Sequence, residues 1–215
     1  MSVTFEPGLL RAYFVAGSQD VPGRDLRDVL ATMLRAGITA FQFRDKGSSQ
    51  LTAAERLELG RDLRQQCQAA NVPFIVDDDV DLALALNADG VHVGQSDERI
   101  QQVLAATNSR QMFVGLSCST PAEVAAANQI DGIAYLGSGP IYPTVSKDDA
   151  DPVIGTAGLQ ALVAQAKVPI VAIGGITAES LPAIAQTGAA GVAIITLLTH
   201  NDQPERAVKA MLAAF

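Results

Sequence analysis

Tryptophan is missing from the 215 residues, and aromatic side chains make up only 5%. Any core must therefore be mostly aliphatic, and a hydrophobic content of 48% with a mean hydropathy of +0.22 supplies one. Cysteine is scarce too. Cys67 and Cys118 stand in neither a CxxC pair nor a metal-ligand spacing, which argues against a disulfide framework and against a thiolate zinc site. Cys67 falls on a helical pattern and Cys118 near the end of a strand pattern, and both read as packing. A basic excess is also lacking: 15 Lys and Arg face 23 Asp and Glu, for a net charge of −8. That balance disfavours nucleic acid and anionic membranes as partners. It leaves room for a small phosphorylated substrate, which a few cations and backbone amides can hold. No apolar run reaches the ~18–20 residues of a spanning helix, and MSVTFEPGLLRAYF has no basic or long apolar leader region, so a cytoplasmic protein is expected. The composition is also compatible with a homo-oligomer.

Short apolar runs alternate with longer helical patterns along the whole chain. The runs are residues 12–16, 38–45, 73–76, 90–94, 113–116, 133–136, 169–175 and 191–196. Between them lie stretches such as LTAAERLELGRDLRQQCQAA, where Leu51, Leu59, Leu63 and Cys67 share a stripe at near-helical spacing. Gly37, Asn71, Asn128 and Gly188 are candidate helix stops, and Pro121 suits a first helical position. Each helical connection is long enough for a right-handed parallel crossover. Eight such units predict an α/β chain folded as a single (β/α)₈ barrel domain over residues 1–215. An open doubly wound sheet is the alternative, though it usually has fewer strands at this length.

A barrel places its chemistry where strands end and loops begin, and polar residues gather there. Gln42 to Gly47 follow the second strand, Asp77, Asp78 and Asp79 the third, and Gly94 to Asp97 the fourth, with His92 just upstream. Ser117 to Thr120 follow the fifth strand, GSGPIYPTVSK the sixth and Gly174 to Thr177 the seventh; the eighth ends at Ile195 and Thr196. Asp78 and Asp97 are oxygen donors of the kind that suits Mg²⁺, which takes few carboxylates together with water and substrate phosphate. Capping or solvation competes with that reading for Asp97, and Asp79 has the same helix-capping reading. Arg44, Lys46 and Lys147 could receive a polyanionic leaving group, or simply pair with nearby acids. The glycines of IGGIT permit close approach of the backbone to a phosphate. His92, alternating with Val91 and Val93, reads as a core or supporting histidine and not as a general base.

Taken in order, QFRDKG, the DD after FIV, DGVHVGQSD, GSGPIYPTVSK and AIGGIT resemble the thiamine-phosphate synthase family, with Asp78 and Asp97 19 residues apart. The resemblance spans about Ala12 to Leu198. It implies a barrel that joins hydroxymethylpyrimidine diphosphate to thiazole phosphate and releases pyrophosphate. Carried over by position, it implies that Gln42, Phe43, Arg44, Asp45 and Lys46 hold the pyrimidine diphosphate, together with Asp77, Ser117 and Lys147. Asp78 and Asp97 would bind Mg²⁺. Thr144, Val145, Ser146, Gly175, Ile195 and Thr196 would hold the thiazole phosphate. The implied reaction is dissociative: the bond to diphosphate breaks first and the thiazole nitrogen then attacks a pyrimidine-stabilised cation. Catalysis would fall to charge neutralisation by Arg44, Lys46, Lys147 and Ser117, with no enzyme nucleophile.

The chain departs from the family pattern at three points. Asp77 stands where the family usually has Asn, Ser146 where Thr is common, and Ser119-Thr120 where His-Thr is common. A carboxylate at position 77 beside a diphosphate needs a metal, a lysine or a proton as partner. Two other functions compete: a thiazole tautomerase, which would not need the metal pair with the three cations, and a non-catalytic phosphate-binding barrel. The loop from Pro143 to Pro152 is a candidate mobile lid.

Overall fold

Residues 3–95, 97–144 and 152–215 are described by a computed structural model, residues 97–99 by their backbone alone. Eight parallel strands close on themselves: β1 (Ala12–Ala16), β2 (Ala40–Phe43), β3 (Phe74–Asp77), β4 (Gly90–Val93), β5 (Phe113–Ser117), β6 (Ile133–Ser138), β7 (Ile170–Ile173) and β8 (Gly191–Ile194). Helices α1 (Leu26–Ala36), α2 (Ala53–Ala70), α3 (Val80–Ala85), α4 (Asp97–Asn108), α5 (Pro121–Ala127), α6 (Gly155–Gln165) and α7 (Leu181–Ala185) connect them, and α8 (Thr196–Thr199) and α9 (Pro204–Ala214) follow. β8 returns to β1 with Ala12 opposite Val192, Tyr13 opposite Ala193 and Phe14 opposite Ile194. That closure bears out the (β/α)₈ barrel and excludes the open sheet.

The strands are continuous apolar runs because both of their faces are covered. One face packs outward: Phe14, Phe41, Phe43, Phe74, Val91 and Leu136 meet Leu30, Leu63, Leu159 and Val208 of the helices. The other fills the barrel with Tyr13, Val15, Ala40, Ile75, Tyr135, Val171 and Ala193. Near Gly115 the pairing shifts register, because Val114 faces Ile133 but Gly115 faces Tyr135. β6 thus carries one extra residue, a bulge of the kind that re-aims a side chain. A β-carbon on Gly115 would lie 2.2 Å from the Tyr135 ring, so only glycine leaves room for that ring inside the barrel.

Local signals set the helix ends. Asp25 accepts a hydrogen bond from Arg27 N at the start of α1, and Gly37 ends it with φ 96°. Thr52 and Glu55 form a reciprocal capping box for α2, which Asn71 ends with φ 55°. Asn128 also ends α5, though in right-handed geometry, at φ −62°. Its side chain is used elsewhere: Nδ2 donates to the Gln165 carbonyl at 2.9 Å and Oδ1 accepts from Lys167 N at 2.9 Å, which ties α5 to the end of α6. Gly188 lies beyond the cap of α7, which is Gln186. Thr196, expected to end the eighth strand, instead opens α8.

Opposite the expected site, Asp89 fastens the barrel floor. It is 1% exposed and accepts from Phe74 N at 2.9 Å, from Val3 N at 3.2 Å and from Arg64 Nη2 at 3.2 Å. Asp89→Ala leaves three donors without their acceptor. The expected cost is about 3 kcal/mol in urea unfolding, against well under ~1 kcal/mol for an exposed control such as Glu58→Ala.

Candidate active site

At the carboxyl ends of the strands a cavity of about 320 Å³ opens. Its walls come from almost every strand–helix loop. Arg44 and Lys46 follow β2, Asp77 and Asp78 end β3, and His92, Gly94 and Gln95 belong to β4 and its loop. Ser117 and Ser119 follow with β5, Thr144 with the loop after β6, Gly174 and Gly175 after β7, and Ile195 and Thr196 after β8. Charge is therefore concentrated on the β2–β3 side, and the β7–β8 side presents mainly backbone and apolar groups.

The acidic run at the end of β3 is separated by the backbone itself. Asp78 has φ 56°, a left-handed conformation that Asp and Asn tolerate better than most residues, and its N–H donates to the His92 carbonyl at 2.8 Å. The turn separates Asp79 from its two neighbours, which share Lys46 but differ in their other partners. Asp79 caps α3 by accepting from Leu82 N at 2.9 Å and pairs with Arg56 Nη2 at 3.1 Å. Asp78 pairs with Lys46 and accepts from Gly94 N at 3.1 Å. Asp77, only 9% exposed, lies 2.7 Å from Lys46 Nζ and 3.5 Å from Arg44 Nε. Its Oδ2 makes no well-directed hydrogen bond among the described residues, so the attraction there is chiefly Coulombic. Burial pulls the Lys46 ammonium toward losing its proton, but Asp77 and then Asp78 outweigh this, and its pKa is raised. Lys46 thus stays cationic at neutral pH. The partner that a carboxylate at position 77 requires is this Lys46–Arg44 pair.

Nine expected site residues line the cavity: Arg44, Lys46, Asp77, Asp78, Ser117, Thr144, Gly175, Ile195 and Thr196. Three others do not. Phe43 packs in the outer core. Gln42 lies inside the barrel, its Nε2 donating to Tyr13 Oη at 2.8 Å. Asp45 turns away to brace the loop, accepting from Ser18 N at 2.9 Å, Ser18 Oγ at 2.6 Å and Ser49 Oγ at 2.7 Å. The Asp97 side chain, Val145, Ser146, Lys147 and most of the candidate lid lie outside the described residues.

The Gly174-Gly175 pair has a structural reason beside its expected one. Their φ values are 98° and 66°, and a β-carbon on Gly175 would come within 2.6 Å of the Tyr142 and Pro143 carbonyl oxygens. The loop after β6 lies directly on this turn, with Ile141 N donating to Ile173 O and Tyr142 N to Gly174 O, both at 3.0 Å. Cys118 is buried, accepts from Gln95 Nε2 at 3.2 Å, and has its thiol pKa pushed up to about 12 by burial and then by Glu123. It is packing and not a nucleophile.

Sequence reasoning passed over Tyr13, Tyr135 and Glu123. Glu123 lines the cavity, and its Oε2 accepts from Ser119 N at 2.7 Å and Thr120 N at 2.9 Å. The spacing Thr120-x-x-Glu123 just before an apolar stretch was the signal that could have found it. Tyr13 and Tyr135 were hidden in strand runs that read as uniformly apolar.

Fold and site together define a parallel barrel with an anion-ready charged rim, a class of phosphate-handling proteins. The sequence model of the family described as thiamine monophosphate synthase matches residues 12–198. The thiamine-phosphate synthase of Levilactobacillus brevis is 74% identical over 215 residues, covering 100% of this chain and 99% of that one. That of Lactiplantibacillus plantarum is 64% identical, covering 100% and 98%. The solved thiamine phosphate pyrophosphorylase of Pyrococcus furiosus superposes with a TM-score of 0.82 at 30% identity, over 97% of each chain. The chain belongs to the thiamine monophosphate synthase family.

Asp79 gives a separable test of the acidic run. Asp79→Ala should lower the melting midpoint by about 2–4 °C, the equivalent of about 1 kcal/mol for a lost cap. Asp79→Asn, which can still cap, should stay close to the parent in the same calorimetric scan.

Proposed function

We propose that this chain is a thiamine-phosphate synthase. It joins hydroxymethylpyrimidine diphosphate to 4-methyl-5-(2-phosphooxyethyl)thiazole, giving thiamine phosphate and pyrophosphate. The observation that carries the reading is the pair Arg44 and Lys46 on one wall of the cavity, with the Gly174-Gly175 and Ile195-Thr196 turns on another, in a chain 74% identical along its length to a relative of that name. Residues 1–215 act as one catalytic domain on small phosphorylated molecules, and a cytoplasmic location goes with that role. Among the described residues, no helix is long and apolar enough to cross a membrane.

Mg²⁺ fits the donor chemistry. Such an ion is held by one or two carboxylates and completed by water and substrate phosphate. Asp78, fixed at the cavity wall by Gly94 N, would hold it, with Asp97 as the second ligand by position in the sequence. When bound, the ion would neutralise charge on the departing pyrophosphate.

The chain's own residues do the rest. Arg44 and Lys46 exchange their carboxylate partners for phosphoryl oxygens when the diphosphate enters. The C–O bond to the diphosphate then breaks, the bonding pair leaves with pyrophosphate, and the pyrimidine ring delocalises the positive charge on its methylene carbon. Charge that grows on the leaving group meets cations already in place, so little reorganisation is needed during bond breaking. Thr144, Gly175, Ile195 and Thr196 hold the thiazole phosphate so that the thiazole nitrogen faces the methylene carbon, and C–N bond formation completes the exchange. Ser117 lies at the pyrimidine end. Lys147 adds a cation to the diphosphate by position in the sequence, and Val145 and Ser146 join Thr144 in the same way. Asp45 and Phe43 support this surface from outside the cavity.

Purified protein given both substrates and Mg²⁺ should form thiamine phosphate. Absence of that product, with interconversion of the thiazole tautomers instead, would replace the reading with an isomerase. Lys46→Ala and Asp78→Ala should each lower kcat/KM by about 10²-fold or more while the melting midpoint moves little. Comparable losses of both would mark the two residues as structural. Asp77→Asn removes the carboxylate that competes for Lys46 and Arg44. It should tighten inorganic pyrophosphate by roughly threefold to tenfold, about 1 kcal/mol by titration calorimetry, and weaker binding would show that Asp77 instead helps to orient the cations.

A further inference from the structure

Below the cavity the barrel interior carries a set of polar side chains, and the reaction above gives no role to Tyr13, Tyr135 or His92. Four hydrogen bonds join them into one line across the barrel. Gln42 Nε2 lies 2.8 Å from Tyr13 Oη, Tyr13 Oη 2.9 Å from Tyr135 Oη, Tyr135 Oη 3.1 Å from His92 Nδ1, and His92 Nε2 3.0 Å from Ser117 Oγ. The five residues come from β2, β1, β6, β4 and β5, and only the last two reach the cavity.

Two glycines make room for the line. A β-carbon on Gly115 would be 2.2 Å from the Tyr135 ring, and one on Gly137 would be 3.0 Å from His92 Cε1. Beneath it, Phe5 stacks on Tyr135 with centroids 5.7 Å apart and an interplanar angle of 13°. Tyr13 and Tyr135 are 1% and 0% exposed. Burial, the largest cause for both, raises their pKa values, so each phenol keeps its single hydrogen.

One hydrogen per phenol makes the line directional. The Gln42 amide nitrogen faces Tyr13 and donates to it, so the Tyr13 hydrogen goes to Tyr135 and the Tyr135 hydrogen to His92 Nδ1. An accepting Nδ1 leaves the imidazole hydrogen on Nε2, which donates to Ser117 Oγ. The Ser117 hydroxyl hydrogen then turns away from His92 and is available to the cavity that Ser117 lines. Turning the Gln42 amide over would reverse every hydrogen and present Ser117 as an acceptor.

We infer that Tyr13 and Tyr135 are positioning residues: they hold His92 as its Nε2–H tautomer, so that Ser117 offers the cavity a hydrogen-bond donor. The matching substrate group is an acceptor such as an aromatic ring nitrogen, and this last step rests on the pyrimidine reading above.

The test begins without substrate. Histidine occurs only at positions 92 and 200, so a His200→Gln variant labelled with ¹⁵N reports His92 alone. At about pH 8, imidazole shifts of the Nε2–H tautomer are expected. A dominant Nδ1–H tautomer or an imidazolium would overturn the inference, whether or not the chain makes thiamine phosphate. Tyr135→Phe should mix the tautomers and lower kcat/KM by about tenfold to hundredfold, with the melting midpoint falling only a few degrees. Tyr13→Phe should do the same more weakly and serves if Tyr135→Phe does not fold. A lower midpoint with an unchanged tautomer would make the tyrosines structural only. If the parent shows no synthase activity, the pyrimidine reading fails while the tautomer result still judges the line.

Discussion

The pairing of β8 back onto β1 is the contact on which the rest of the molecule depends. It turns eight separate strand ends into a ring, and Arg44 and Thr196, far apart in the chain, come to line one cavity. It also encloses an interior that must be filled. Outward faces meet helices and are filled by Leu, Val and Phe, whereas the inner face has space for few large groups. Tyr13, Tyr135 and His92 take much of that space, and Gly115 and Gly137 yield it. The bulge in β6 and the small residues beside it are thus consequences of closing a narrow barrel around three rings.

The charged wall follows a second constraint. Carboxylates at 77, 78 and 79 repel one another, and a left-handed residue in their midst lets the chain separate them. Asp79 goes to a helix end and a half-buried arginine. Asp77 and Asp78 share Lys46, with Arg44 near Asp77. The two cations and two acids balance in charge, so a polyanion entering the cavity can gain only by replacing the acids or by bringing a cation with it. The acidic residue at 77 is in that light a competitor for the cations.

The fold was legible because period and length recur: eight apolar runs separated by helical stretches admit few arrangements, and Gly37, Asn71 and Thr52 end helices by local chemistry alone. The long-range use of the Asn128 side chain is contained in no local pattern, and Thr196 was misread because the chain can turn helical with no sequence break. Of the site, Arg44, Lys46, Asp77 and Asp78 were legible as polar residues at strand ends. Asp45 followed the same logic and yet turned to Ser18 and Ser49, since a strand-end position fixes where a residue is and not where its side chain goes. Tyr13 and Tyr135 were invisible for the opposite reason. Within a parallel strand buried on both faces, a tyrosine reads as one more apolar residue, and for Tyr135 the face it occupies also follows a bulge that the sequence does not announce.

In the proposed function, Lys46 and Arg44 trade carboxylate partners for the substrate's diphosphate at the β2–β3 wall. A crystal structure with pyrophosphate and thiamine phosphate bound tests it most directly. Phosphoryl oxygens within hydrogen-bonding distance of both cations, with Lys46 drawn away from Asp77, are the predicted result. Pyrophosphate bound elsewhere, with Lys46 still paired to Asp77 and Asp78, would contradict it.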